Sequence, residues 1–316
     1  MDNRQGINHL RTMINETLKP MVGQKCVLYD VPFYKNIGDV LIWQGELSFI
    51  KSNNIELLDY CDYHTYVKKD IDLDTCILFQ GGGNIGDLYH EHVEFLLRLV
   101  ADYPNNRIIV LSQTVFYNSE SVFQRDFDII SHHKNLYFVT RDYVSYEKVK
   151  TKLGDKTLVL PDMAFCIDVD TLLNISNQSN KASLYIKRND KEAPKDVNGN
   201  NYDLISDWPC FEKGITRNVL LNTIYDRVYR YVPLLRNCIR ERWKEYAYHY
   251  FRLLMIKDGV KFISPFNQIV SERLHGCILA ILLGKEVVVI NNSYGKNKNF
   301  YDAWLKEFDN VTLKEV

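Results

Sequence analysis

The sequence predicts an α/β protein of two Rossmann-like domains, and three observations carry that prediction. Short continuous apolar runs recur at 26–30 (CVLYD), 75–80 (TCILFQ), 108–111, 136–140, 158–160 and 286–290. They are β-branched or aliphatic without polar alternation, as expected of strands covered on both faces of a parallel sheet. Each run empties into a polar or glycine-bearing turn and then into residues at helical spacing, which is the repeating unit of a doubly wound sheet. The polar segment 174–181 (NISNQSNK) then interrupts the alternation and reads as a linker. The expected domains are therefore 1–173 and 174–316.

In the first half, residues 7–20 have the spacing of an amphipathic helix. The 26–30 strand leads through Tyr34, Asn36, Gly38 and Asp39 into a helix expected over 40–50. Asp39 suits a helix cap. The 75–80 strand is followed by Gly81, Gly82, Gly83 and Asn84, with Asp87 close behind. Consecutive glycines permit positive φ and close backbone approach to a ligand. The spacing matches neither a dinucleotide fingerprint nor a P-loop, so a structural turn competes with a binding loop. Helices are expected over 121–132 and 143–153. Ser112, Gln113, Arg141 and Asp162 stand at strand ends, where open α/β sheets hold ligands; for Arg141 and Asp142 a helix cap with a surface ion pair is the competing reading.

Composition narrows the classes. The chain has 316 residues, is 46% hydrophobic and carries a formal charge of −1, which gives ample core and no global basic excess for nucleic acid. Seven scattered cysteines without a CxxC pair read as reduced thiols rather than a disulfide frame or zinc site. No metal is expected, because the eight histidines do not pair with carboxylates at ligand spacing. No signal-peptide core or run of about 18 apolar residues is evident, so a cytoplasmic location is expected.

The second half opens with SLYIKR at 183–188, a strand ending in two cations, followed by a polar loop over 190–202. Residues 216–256 mix apolar and tyrosine positions with eight basic residues, and Pro233 divides them into two helices. Basic, aromatic, amphipathic helices suit an anionic membrane face. An oligomer interface or an ordinary helix pair competes with that reading. A strand at 261–264 (KFIS), a short helix at 265–268 (PFNQ) and a strand at 269–271 are expected next. The chain's densest stretch follows, SERLHGCILAILLGKEVVVINNSYGK at 271–296. Leu274, Ile278, Ile281 and Leu282 have helical spacing and Gly284 ends it, which places Arg273 and His275 at a first turn, where unpaired backbone N–H groups favour anions. A lone histidine there commonly satisfies a core carbonyl, and that alternative stands beside a functional one. A closing helix is expected over 294–305.

Arg273-Leu274-His275-Gly276, the Val-rich strand and Asn292-Ser293-Tyr294-Gly295-Lys296 resemble the C-terminal half of the polysaccharide pyruvyltransferase family. Asn36-x-Gly38-Asp39, Gly81 to Asn84 and Arg188-x-Asp190-x-Glu192 match further motifs of that family in order, while Ser271-Glu272 stands where relatives commonly show Thr-Asp. The resemblance implies two Rossmann-like domains facing a cleft in a glycosyltransferase-B-like arrangement. It also implies transfer of pyruvate from phosphoenolpyruvate to two sugar hydroxyls as a cyclic ketal, with no cofactor. Arg188, Arg273, His275, Ser293 and Lys296 would hold the donor, and Asn36, Asp39, Gly82, Gly83, Asn84 and Gln113 the acceptor glycan, expected on a polyprenyl diphosphate carrier at the inner membrane face.

The chemistry suits these residue types. A phosphate beside a carboxylate calls for fixed cations, which Arg188, Arg273 and Lys296 supply. Protonating the donor's methylene carbon needs a general acid working near neutral pH, a role for His275, while Asp39 would accept a hydroxyl proton. A nucleotide-sugar glycosyltransferase of similar architecture and a non-catalytic phosphoglycan-binding protein are the competing functions.

Overall fold

A computed structural model describes residues 1–176, 181–190, 202–212, 217–291 and 295–314. The chain forms two compact units. The N-unit comprises Leu10–Val31 and Gly45–Cys166; the C-unit comprises Met1–His9, Pro32–Gln44 and Ile167–Val316. Both are parallel α/β structures.

The N-unit takes α1 (Asn3–Val22) from Leu10 onward, β1 (Lys25–Tyr29), α2 (Ile37–Ser52) from Gly45 onward, β2 (Glu56–Cys61), β3 (Cys76–Phe79), β4 (Gly82–Gly86) and α3 (His90–Asp102). It continues with β5 (Ile108–Phe116), α4 (Glu120–Ser131), β6 (Leu136–Thr140), α5 (Tyr143–Leu153) and β7 (Thr157–Val159). The strands pair in the order β2-β1-β3-β5-β6-β7, with β4 also on β5, and every pairing is parallel. Ile77, Phe79, Ile108, Val110 and Phe138 pack with Leu96 and Leu99 of α3 and with Phe123, Phe127 and Ile130 of α4. That cluster covers one face of the sheet; on the other face the alternate residues Leu28, Leu78, Ile109 and Val139 are buried as well, so the continuous apolar runs are covered on both sides.

Two N-unit expectations are revised. The glycine run is a short strand rather than a turn into a helix: β4 lies along β5, with positive φ at Gly82 (143°). Arg141 makes no surface ion pair. It is fully buried and bonds Asp162 at 2.6 Å and Thr114 Oγ1 at 2.9 Å, while Asp142 caps α5 by accepting the Ser145 N–H at 2.7 Å.

The C-unit contains α6 (Val169–Leu173), β8 (Lys181–Ile186), β9 (Leu204–Ser206), α7 (Pro209–Glu212), α8 (Arg217–Tyr231), α9 (Arg236–Tyr246) and α10 (Arg252–Ile263). β10 (Phe266–Ser271), α11 (Leu274–Leu282), β11 (Glu286–Ile290), α12 (Lys296–Phe300) and β12 (Val311–Lys314) complete it. Its strands run β12-β11-β10-β8-β9, again all parallel. In both sheets the second strand lies outside the first and the third lies on the first strand's other side. That reversal is the topological switch point, where doubly wound sheets open a crevice at their carboxyl ends.

The expected strand at 261–264 is instead the end of α10. Met255, Ile256, Val260 and Ile263 are its buried face, and helical spacing carries on until Pro265 stops it. β10 therefore starts at Phe266, and 265–268 is not helical. A π-turn at Ala247–Phe251 joins α9 to α10, and the 3₁₀ turn Pro233–Leu235 separates α8 from α9. Within the C-unit the chain's start is tied to its end: Asn3 Nδ2 donates to the Ile281 carbonyl at 2.8 Å, and the terminal ammonium meets Asp309 at 2.7 Å.

Candidate functional site

The C-unit switch point lies between β8 and β10, and both strands leave an arginine at their carboxyl ends. Arg188 follows β8 and Arg273 follows β10. A third strand end contributes Asp207, just past β9. Arg273 grips Asp207 through Nε and, at 2.6 Å, through Nη2. Both side chains are buried, and the aspartate also accepts the Trp208 N–H at 2.7 Å. Arg273 Nη2 also reaches Asp190 Oδ2 at 3.1 Å, and the guanidinium carbon lies 4.7 Å from the Phe211 ring centroid. Arg188 holds the same Asp190 in a fork, with Nε on Oδ1 and Nη2 on Oδ2, each at 2.9 Å. Two guanidiniums from neighbouring strands therefore converge on one carboxylate, whose side chain is 39% exposed.

Glu272 sets the spacing of this pair. It is buried, accepts the Arg188 backbone N–H at 2.8 Å and receives the Tyr185 hydroxyl on its other oxygen. Its side chain thus binds the end of β10 to the end of β8. Ser271 Oγ donates to the Arg273 carbonyl at 2.9 Å and accepts the Arg273 N–H at 3.0 Å, fixing the turn into α11. A side chain at Gly276 would run into Ser271 Oγ, so the turn requires glycine there.

His275 is in the first turn of α11 and is 9% exposed. The start of α2 covers it: a Cβ built on Gly38 would stand 2.7 Å from His275 Nδ1 and 3.0 Å from its Cγ. Only a residue without a side chain lets the backbone pass so close. The motif beginning at Asn36 therefore belongs with His275 in the C-unit. Asn36 is the helix cap, accepting the Gly38 N–H on Oδ1 at 3.0 Å. Asp39 is not the cap; its Oδ2 accepts Asn36 Nδ2 at 2.8 Å and the Tyr34 hydroxyl at 2.9 Å. These bonds fix a largely buried carboxylate, 8% exposed, one residue beyond the glycine that touches the imidazole.

Lys296 begins α12 and is half-buried. Its neighbour Asn297 donates to the carbonyls of Glu272 at 2.7 Å and Ile290 at 2.8 Å, which fixes this helix start at the carboxyl ends of β10 and β11. Ser293 and Glu192 lie outside the described residues.

The remaining candidates, Gly82, Gly83, Asn84 and Gln113, belong to the N-unit. Gln113 is 1% exposed and gives its amide N–H to the Gln80 carbonyl at 2.7 Å. It thus supports the strand end that carries the glycines. Sequence reasoning missed Glu46, which lies beneath the same strand end and accepts the Gly81 N–H at 2.8 Å. Burial pushes the Glu46 carboxyl well above the usual carboxylate range; the Gly81 N–H offsets part of this, and Asp162 and Asp30 add to the rise. Asp30, at φ 69°, pairs with buried His92 at 2.7 Å. Asp207 was missed as well.

Fold and site together define a class, a parallel α/β protein of two similarly wound units that presents paired arginines and a helix-start histidine at one switch point. The chain belongs to the polysaccharide pyruvyl transferase family, whose model matches residues 36–294. It is therefore a pyruvyl transferase of polysaccharide biosynthesis. It is 28% identical to a putative pyruvyl transferase, EpsO, of Bacillus subtilis, over 99% of this chain and 96% of that one. Pyruvyl transferase 1 of Schizosaccharomyces pombe is 24% identical over 89% of this chain and 70% of its own length. A crystal structure of an uncharacterized Klebsiella pneumoniae protein shares the fold with a TM-score of 0.63 at 20% identity, covering 97% of this chain and 99% of that one.

Proposed function

We propose that the protein transfers pyruvate from phosphoenolpyruvate to two hydroxyls of one sugar in a polysaccharide repeat unit, forming a cyclic ketal and releasing phosphate. The observation that carries this reading is the convergence of Arg188 and Arg273 on Asp190. A carboxylate of the chain occupies a place built for an anion, and the donor's anionic groups take that place when it binds. Lys296 adds a point charge at the neighbouring strand end, and Ser293 completes the donor contacts.

In the reaction, His275 gives a proton to the methylene carbon, which becomes the methyl group and leaves C2 electrophilic. The first sugar oxygen bonds to C2 and yields its proton to Asp39, oriented by Asn36 and Tyr34. The bond from C2 to the phosphate oxygen then breaks, and the second hydroxyl closes the ring. Of the two hydroxyl protons, one replaces the proton His275 supplied and the other leaves with phosphate. The acceptor is a glycan on a polyprenyl diphosphate carrier at the cytoplasmic membrane face.

The test is incubation with phosphoenolpyruvate and carrier-linked disaccharides, read by mass spectrometry and phosphate release. A ketal product that disappears in His275→Ala supports the reading. Nucleotide release from a sugar nucleotide, or glycan binding without turnover that survives His275→Ala, refutes it.

A further inference from the structure

The end of the α8–α9 hairpin combines two features that rarely coexist on a free surface. Tyr231, Val232, Pro233, Leu234 and Leu235 are all exposed, Leu234 to 92%. Leu221, Ile224 and Tyr231 extend this surface as an exposed stripe at helical spacing along α8, with Val228 half-buried between them. Around it stand Arg227, Arg230, Arg236 and Arg242, exposed, and Arg240, half-buried. Between positions 226 and 242 the sequence sets these five arginines against two carboxylates, Asp226, which pairs with Arg230 at 2.5 Å, and Glu241.

The tip is held in shape. Val232 N–H donates to the Val228 carbonyl at 2.9 Å and Leu235 N–H to the Val232 carbonyl at 3.0 Å. Arg236 returns to the carbonyls of Tyr229 at 2.8 Å and Arg230 at 3.0 Å. Apolar residues are therefore presented outward on a fixed turn.

We propose that this tip is a membrane-docking surface, with the apolar turn entering the acyl layer and the arginines meeting anionic lipid headgroups. Charge decides between lipid and a second copy of the chain. A two-fold interface sets a patch against itself, which would press arginines on arginines, whereas an anionic bilayer satisfies both the charge and the apolar turn. The hairpin is also braced to the candidate site. Tyr229 packs on Trp243 at 5.5 Å, Trp243 donates to Asn222 Oδ1 at 3.0 Å, and Asn222 donates to the Phe33 carbonyl at 2.6 Å. Phe33 opens the loop that carries Asn36 and leads into the first turn of α2 with Asp39, so docking would set that loop and helix start at a fixed height above the lipid surface. The inference rests on the proposed function only for the identity of the lipid-borne acceptor. Vesicle binding is measured without donor or acceptor, so the two fail separately.

The experiment is co-sedimentation of the full chain with vesicles of equimolar phosphatidylglycerol and phosphatidylcholine, and with phosphatidylcholine alone. Binding is expected to the anionic vesicles only. Leu234→Asp should weaken it by about tenfold or more. Arg227→Ala and Arg242→Ala should each weaken it about fivefold. Leu234→Asp should also leave transfer to a water-soluble acceptor unchanged. No binding, or equal recovery with both vesicle types, overturns the proposal. So does light scattering in which Leu234→Asp dissolves a dimer while vesicle binding persists, since the surface would then join copies of the chain.

Discussion

Gly38→Ala tests whether His275 works at a position set by the start of α2. The new methyl would stand 2.7 Å from Nδ1, 3.0 Å from Cγ and 3.1 Å from Cβ of the imidazole. Carbon atoms pack at about 3.5–4.0 Å, so ring and helix must separate by roughly 0.5–1 Å. A displacement of about 1 Å in a reacting group costs on the order of 10² in rate. Fold stability should change little, because alanine gains roughly 0.5–1 kcal/mol over glycine in a helix while overpacking costs about 1–3 kcal/mol. Steady-state phosphate release should therefore show kcat down about a hundredfold with the melting temperature shifted by only a few degrees. In a His275→Ala background, itself expected to lose most turnover, the alanine at 38 should have no further effect, since both changes act on one group. Near-wild-type kcat in Gly38→Ala, or full additivity in the double variant, would refute the reasoning.

Three further outcomes follow from the geometry. Asp207→Ala leaves buried Arg273 without its main partner and should destabilise the fold by about 3–5 kcal/mol, read by urea denaturation; an unchanged midpoint would mean that the pair is dispensable. If the donor's anionic groups take the place of Asp190, as proposed, Asp190→Asn should lower KM for phosphoenolpyruvate about two- to fivefold, the modest gain expected where the displaced group is partly exposed. A rise in KM would show that Asp190 helps to bind the donor. Glu46 links stability to pH. At low pH folded and unfolded chains both hold its proton; as pH rises through the ordinary carboxylate range only the unfolded chain ionises, so the residue lowers stability by about 1.4 kcal/mol per pH unit until its own raised value is passed. Glu46→Gln keeps an acceptor for Gly81, and its stabilisation over the parent should grow from about pH 5 to 7 in thermal melts; a pH-independent difference would count against a buried protonated acid.

The inner strands of both sheets were legible where their residues are covered on both faces, as in Ile77, Leu78 and Phe79 or Val287 and Val289, whereas β10, with Asn267 and Gln268 exposed, was legible only over 269–271. Three of the four edge strands, β2, β9 and β12, were not. An edge strand is covered less, so its sequence loses the continuous apolar run; in β2, Glu56 and Asp59 flank Leu57 and Leu58, and Leu58 is exposed. In the site, Arg273 and His275 could be placed from helical spacing, and the motif at Asn36 to Asp39 from resemblance. Asp207 and Glu46 could not, because each gains its role from a partner distant in sequence, Arg273 and Gly81 respectively. Gln113 was found for its strand-end position, yet its amide supports the Gln80 carbonyl.

The assignment of Met1–His9 and Pro32–Gln44 to the C-unit bears on any attempt to divide the protein. A fragment starting near residue 174 would lack the Phe33 ring that packs 5.6 Å from Trp243, the Ile37 side chain against Gly259, and Asp39 itself. Split-protein or limited-proteolysis designs that cut mid-chain should therefore yield halves that regain activity only on being mixed, and an isolated C-unit would need its three segments joined in one chain.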